Sequence, residues 1–221
     1  RIRYKYQTPV ADGRHILYMT PADISGQRPI TSLMEIDPVP DERSSRADFF
    51  GNTLVEVAFS APHAAIEFRV RSRVERLAAI TADGSTSIEG LPAEIAATRS
   101  LAPDSPHHFL ADSPRVRIRP DFRAYALAQL EPQIATTLEL VEAIGRALDR
   151  DMTFDPGSTN VDTPPEEAFA RRHGVCQDFS HIMIACLRSI GIPAGYVSGF
   201  LRTLPPPDAR STRHCPLTIS S

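Results

Sequence analysis

One cysteine of this chain, Cys176, stands where a nucleophile could be activated. The residues after it carry apolar side chains at helical spacing, and these are Phe179, Ile182, Met183, Cys186, Leu187 and Ile190. Gly191 and Pro193 follow the stripe and are typical of a helix end. We therefore predict a mostly buried helix from Cys176 to Ile190 and a strand from Ala194 to Phe200.

A cysteine on the first turn of a helix meets backbone N–H groups that have no intrahelical acceptor. Their partial positive charge favours the thiolate, which is the nucleophilic form, and the same groups could hold an oxyanion. The alternative is a structural cysteine, because Cys176 lies on the apolar stripe three residues before Phe179. Cys186, on the same stripe, is predicted to be a core residue.

The stretch GVCQDFSHIMIACLRSIGIPAGYVSGFL resembles the nucleophile motif of the bacterial transglutaminase-like superfamily, whose members are often described as candidate cysteine proteases. The preceding FDPGSTNVDTPPEEAFARRHG resembles the lead-in to that motif. The resemblance implies that Cys176 is the catalytic nucleophile of a papain-like core. Gly195 stands where the family usually has arginine, so that charge contact is not carried over to this chain.

The resemblance also implies a histidine and then an aspartate after the helix, in His-Ala-Trp-like and Asp-Pro-Thr-like elements. This sequence has neither element and no tryptophan. The histidine that follows the helix is His214 and the acid is Asp208, which precedes it. Neither matches the family pattern, so the base and the orienting acid are not assigned.

Other residues near Cys176 could support the site. His181 follows five positions later on the same helix, about 7.5 Å along the axis, so a structural role is favoured over that of a base. His173 could approach through the turn before the helix. Asp178 is expected to stabilise the helix N-terminus, and Gln177 shares a row with His181.

Two explanations of the absent histidine and aspartate remain open. The chain could be truncated or frame-shifted near its end, or it could be a genuine variant. We favour the first, because a single predicted strand cannot cover the apolar face of the central helix. The chain by itself is then expected to have little or no activity.

Size and composition set broad limits. The chain has 221 residues, 42% of them hydrophobic and 23% charged, and a formal net charge of −3, as in an ordinary globular protein of one or two domains. Neither nucleic acid nor a membrane is indicated as a partner. Three cysteines form no disulfide framework and no zinc motif, and no signal peptide is visible, so a cytoplasmic setting is expected.

Residues 1–80 contain five runs of alternating apolar and polar residues separated by turn residues, which predicts antiparallel strands. The runs begin near Ile2, His15, Ile30, Val55 and Ile66. The pieces YKYQTPV, DFFGNTLVEVAFSAP and IEFRVRSRVE resemble the N-terminal region that often precedes transglutaminase-like domains. A β-sandwich-like domain is therefore expected.

Residues 81–118 are rich in proline, serine and alanine and are predicted to be an irregular connector. Its adjacent His107 and His108 project apart, so no metal site is predicted. A short helix from Phe122 to Leu130 and a longer one ending near Arg150 follow. Thr163 to Glu166 is interpreted as a capping box that opens a short helix ending at Arg172.

Together these features predict an α+β protein: a β-rich N-terminal domain over 1–80, a connector over 81–118 and a helical, papain-like core over 119–221 that is incomplete. The predicted function is that of a cysteine peptidase or amidase with a peptide or protein substrate, and the alternative is a non-catalytic peptide- or protein-binding module. The resemblance implies no cofactor, and nothing implies calcium. The oligomeric state is not predicted.

Overall fold

The computed structural model describes residues 1–24, 26–77 and 84–199. The described residues form two compact units, an N-terminal unit built from residues up to 77 and a C-terminal unit built from residues 84–197. Three residues of the sequence analysis, Phe200, Asp208 and His214, lie outside the described residues, and so does the third cysteine, Cys215.

The N-terminal unit consists of two three-stranded antiparallel sheets with strand orders β1-β6-β3 and β2-β5-β4. The strands are β1 (Ile2–Val10), β2 (Gly13–Leu17), β3 (Gln27–Asp37), β4 (Glu42–Ala47), β5 (Thr53–Phe59) and β6 (His63–Arg76). Apolar side chains of both sheets meet in one core that includes Leu17, Met34, Val57, Ile66 and Phe68. The alternation in the sequence therefore marks the face of each sheet that is removed from water.

The sequence pattern did not indicate β4. Its residues, ERSSRA, are all exposed, and the strand lies at the edge of its sheet beside β5. A solvated edge strand needs no apolar face, so its sequence carries no alternation. Arg46 of β4 instead forms an exposed ion pair with Glu56 of β5 at 3.0 Å.

The C-terminal unit is mainly helical. Its elements are α1 (Leu91–Ala97), a 3₁₀ helix (Pro106–Phe109), α2 (Pro120–Leu127), α3 (Thr137–Asp151), β7 (Thr153–Phe154), α4 (Pro165–Arg171), β8 (His173–Gly174) and α5 (Cys176–Ser189). Helix α5 packs against α2, α3 and α4. The core between them includes Phe122, Ile144, Leu148, Ala168, Ile182 and Ala185. No helix among the described residues is long and apolar enough to cross a membrane.

The helix over 176–190 is confirmed to within one residue, and Gly191 ends it with φ of 83° as the pattern predicts. The strand predicted from Ala194 is wrong over 194–199, which form no strand. In this segment Ala194 N donates a backbone hydrogen bond to Phe109 O at 3.0 Å. A single hydrogen bond of this kind does not form a β-ladder. The connector contains α1, which was not predicted.

The capping box predicted at Thr163 to Glu166 is also wrong. Pro164 is the N-cap of α4, and the Thr163 hydroxyl bonds to Asn160 in the preceding turn instead. A genuine capping box opens α3, where the Thr136 hydroxyl accepts from Glu139 N and the Glu139 carboxylate accepts from Thr136 N. The three-residue spacing from Thr163 to Glu166 is the spacing of a capping box. The Thr163 hydroxyl is instead used by the preceding turn, so it does not cap α4.

We expect Thr136→Ala to lower the free energy of unfolding of the C-terminal unit by about 1 kcal/mol, because it leaves an N–H group of the first turn of α3 without its acceptor. Urea unfolding followed by the helical circular dichroism signal measures this, since the described helices all lie in the C-terminal unit. Thr137→Ala is the matched control, because the buried Thr137 hydroxyl has no partner among the described residues. Equal losses in both variants would contradict the capping assignment.

Candidate active site at the start of helix α5

Cys176 is the first residue of α5 and is exposed. Val175 is the N-cap, in an extended conformation, so the chain arrives from β8 and turns directly into the helix. Helix geometry leaves the N–H groups of this first turn without intrahelical acceptors. The structure therefore places the sulfur at the positive end of the helix that forms the centre of the C-terminal unit, as the sequence predicts.

A short parallel ladder fixes the approach to Cys176. Thr153 N donates to Arg172 O at 2.8 Å, and Asp155 N donates to Gly174 O at 3.0 Å. Arg172 has φ of 59°, in the left-handed region, and reverses the chain after α4. Its guanidinium lies 4.1 Å from the ring centre of Phe169, and this cation–π contact holds the turn in place.

The carboxylate of Asp178 caps the N-terminus of α5. It accepts from Val175 N at 2.8 Å and from the Thr159 hydroxyl at 2.6 Å, and the residue is only 1% exposed. The carboxylate lies against Gly174, where a Cβ would come within 2.9 Å of Oδ2. The expected stabilisation of the helix N-terminus by Asp178 thus takes the form of a buried hydrogen-bonded carboxylate.

The segment over 155–164 lies beside this first turn. Gln177 Nε2 reaches Val161 O at 3.5 Å, at the long limit of a hydrogen bond. Arg115 donates to the same carbonyl at 2.6 Å and lies 3.6 Å from the carboxylate of Asp162. Gln177 therefore connects the helix to this segment.

His181 is a packed residue of α5. It is 9% exposed, and its ring lies against Tyr196 with centroids 5.2 Å apart. Burial lowers the pKa of its imidazole; nearby Asp178 raises it and Arg115 lowers it further, both to a smaller extent. A neutral imidazole packed in this way fits the structural role favoured above, and the structure gives it no hydrogen bond to Cys176 within the described residues.

Because the folded-state pKa of His181 is lowered, the folded chain binds fewer protons than the unfolded chain below the ordinary value of about 6.5. The stability of the C-terminal unit should therefore fall as the pH drops through that value towards the folded-state pKa. We expect His181→Gln to flatten this part of the stability profile. Urea unfolding at neutral and mildly acidic pH measures the difference, and identical slopes in both proteins would contradict it.

The remaining candidates are dispersed. His173 is exposed, and its Nδ1 bonds to Arg171 O at 2.7 Å in its own turn. His214 and Asp208 lie outside the described residues. Cys186 is fully buried, and burial raises the pKa of its thiol to about 12, in agreement with a core cysteine. Cys176, Gln177 and Asp178 thus share the first turn of α5, as their adjacency in the sequence requires.

Two residues of the site were not found from the sequence. Thr159 supplies the second bond to Asp178 from nineteen positions upstream, and Gly174 allows the close approach of its carboxylate. A glycine two positions before the cysteine was the available signal, but it indicates a turn equally well.

The structure also accounts for Gly195. A Cβ at this position would lie 2.9 Å from two ring carbons of Phe109. An arginine would therefore require the Phe109 ring to move. The position of this ring fits glycine at 195 and not the arginine that is usual in the family.

Cavities of about 390, 340 and 290 Å³ are bordered by described residues, and Cys176 borders none of these three. The described residues also contain no group of three or more histidine, cysteine or acidic side chains placed to hold a metal ion. In the part of the chain that the structure describes, Cys176 is exposed.

The fold is that of a papain-like, transglutaminase-like protein. The crystal structure of a "putative cysteine protease" from Cytophaga hutchinsonii matches with a TM-score of 0.64 and 18% identity, over 87% of this chain and 62% of that one. At this identity the match shows the fold alone.

Family comparison agrees with the fold. Residues 1–75 match the bacterial transglutaminase-like N-terminal region, and residues 126–216 match the transglutaminase-like superfamily. The chain belongs to the transglutaminase-like superfamily, which confirms the resemblance drawn from the sequence.

Its curated relatives include an uncharacterized protein of Mycobacterium tuberculosis, 31% identical over 215 residues, which cover 94% of this chain and 66% of that protein. An uncharacterized protein of Mycobacterium leprae is 28% identical over 90% of this chain and 68% of its own length. The chain thus spans about two thirds of the length of the relatives it matches.

Proposed function

We propose that the chain belongs to a cysteine-dependent amide hydrolase or acyl transferase in which Cys176 is the nucleophile. The observation that carries this proposal is the exposed sulfur on the first turn of a helix that is otherwise mostly buried. Peptide or isopeptide hydrolysis is the first reaction we propose, and transamidation is the second. The substrate is a peptide or protein, and no cofactor takes part.

In this reaction the Cys176 thiolate attacks an amide carbonyl, and a C–S bond forms while the carbonyl oxygen becomes an oxyanion. Backbone N–H groups of the first turn of α5 stabilise that charge. The C–N bond then breaks, and a histidine gives its proton to the departing amine. Water or a second amine releases the acyl group from sulfur.

No described histidine is placed for this proton transfer, so we assign the base and its orienting acid to residues outside those described. The helix start supports the attacking step by itself. The ladder between β7 and β8 holds Gly174, and the Asp178 carboxylate holds Val175, so Cys176 follows two residues with fixed backbone positions. A nucleophile held in this way needs little rearrangement before it attacks.

Thiol alkylation tests the proposal directly. In a Cys215→Ser background at neutral pH, we expect iodoacetamide to modify Cys176 at least about tenfold faster than the buried Cys186. Peptide mass mapping assigns the modified residue. Cys176→Ala should remove the fast reaction, and Cys186→Ala should leave it unchanged. A Cys176 that reacts only after unfolding in urea would contradict the proposal.

A second candidate is a peptide- or protein-binding module without catalysis. The observation that favours it is an apolar cavity of about 340 Å³ at the opposite end of α5 from Cys176, bordered by Ile190, Gly191 and Ile192. Mass spectrometry after incubation with an activated peptide ester separates the two functions. An acyl adduct that disappears in Cys176→Ser supports the nucleophile, whereas peptide binding that is equal in both proteins, with no adduct, supports the module.

A further inference from the structure

Two partly exposed histidines of the N-terminal unit lie beside the same residue, Gly13. His15 lies on β2 and His63 is the first residue of β6, and both pack against Phe59, with ring centroids 5.9 and 5.2 Å from it. His15 also contacts Phe68 at 5.5 Å, and His63 contacts Tyr6 at 5.8 Å. The two imidazoles therefore share an aromatic surrounding.

The hydrogen bonding of His63 fixes its tautomer. Its Nδ1 lies 2.9 Å from Ala61 O, and a carbonyl oxygen only accepts, so Nδ1 carries the proton. In the neutral ring Nε2 then has a free lone pair. This atom is buried and has no hydrogen-bond partner among the described residues. Buried polar atoms without a partner are rare, and an ion or a water is one usual explanation.

Gly13 leaves space at the same place. A Cβ on Gly13 would lie 3.6 Å from Nε2 of His15 and 3.9 Å from Cε1 of His63, the carbon bonded to the unpartnered nitrogen. Atoms of both imidazoles thus border the volume that a side chain at this position would take. A larger residue at 13 would crowd the two rings.

We propose that His15 and His63 bind a transition-metal ion that prefers imidazole, such as Zn²⁺ or Ni²⁺. In known metal sites a ligating histidine usually donates its second ring N–H to a carbonyl or carboxylate, which is the arrangement of His63 with Ala61. The described residues add no third side-chain ligand, so water completes the coordination and the ion exchanges. Oxygen-preferring ions such as Mg²⁺ do not fit two imidazoles.

Thermal unfolding of the whole chain tests this site, in a Cys176→Ser, Cys215→Ser background that removes two other thiol ligands. Ni²⁺ in excess should raise Tm by about 3 °C or more, and Mg²⁺ should not. His15→Phe and His63→Phe keep an aromatic ring, and each should abolish the Ni²⁺ shift. His107→Phe is the control, since His107 bonds to Thr98 in the other unit, and it should keep the shift.

A second measurement needs no ring variant. Paramagnetic Ni²⁺ at substoichiometric amounts should broaden the NMR signals of the His15 and His63 rings before those of the other histidines. Broadening that begins elsewhere, a Tm shift that survives in both phenylalanine variants, or the absence of any response to Ni²⁺ would each overturn the proposal.

Discussion

Gly174→Ala should lower the free energy of unfolding of the C-terminal unit by about 3 kcal/mol, because one added methyl group meets atoms that cannot yield cheaply. The new Cβ would lie 2.8 Å from the Cβ of Asp178, an atom fixed by the backbone of α5. It would also lie 2.9 Å from the Oδ2 atom that accepts from Val175 and Thr159. Either β8 or the first turn of the helix must move.

Urea unfolding followed by helical circular dichroism measures this loss, and the alkylation rate of Cys176 reports any displacement of the helix start. Gly157→Ala is the matched control in the same unit, because a Cβ there makes only an ordinary contact, 3.6 Å from Asp155 Oδ1. A Gly174→Ala protein with the stability and alkylation rate of the wild type would show that the packing of Asp178 on Gly174 is not restrictive.

Arg188→Met is expected to cost a similar amount, about 3 kcal/mol, through lost hydrogen bonds. Arg188 is 8% exposed near the end of α5, and burial lowers the pKa of its guanidinium. It donates to Ala194 O at 2.8 Å, to Ala111 O at 2.7 Å and to the Ser113 hydroxyl at 3.3 Å. Methionine replaces only the aliphatic part of the arginine side chain and leaves all three acceptors without their donor.

Hydrogen exchange adds a local measurement to the unfolding curve. The amide of Ala194 donates to Phe109 O, and we expect it to exchange faster in Arg188→Met. Arg146→Met is the control, because Arg146 is exposed on α3 and pairs with Glu142, a contact worth less than about 0.5 kcal/mol. Equal losses from the two substitutions would contradict the assigned role of Arg188.

The helix that carries Cys176 could be predicted from the sequence because its buried apolar residues recur with the period of a helix. Ile182 and Cys186 are fully buried, and their spacing is visible in the chain itself. The same reasoning recovers five of the six strands of the N-terminal unit and fails for β4, which buries nothing.

The polar part of the site left no such trace. Thr159 and Asp178 are far apart in the chain, and a hydrogen bond between them has no periodicity. Arg188 has the sequence appearance of a surface cation at a helix C-terminus, yet it is buried among carbonyl groups. Polar contacts of this kind depend on tertiary packing, so only coordinates reveal them.

The ladder between β7 and β8 has a consequence for how the region next to Cys176 can diversify. Two backbone hydrogen bonds, from Thr153 to Arg172 and from Asp155 to Gly174, fix both ends of the segment that connects β7 and β8. Insertions or deletions in the loop that precedes α4 can be absorbed at small entropic cost without displacing the nucleophile, provided that Thr159 keeps its contact with Asp178. Related proteins could thereby differ in the loop beside the site while the cysteine sulfur keeps its position.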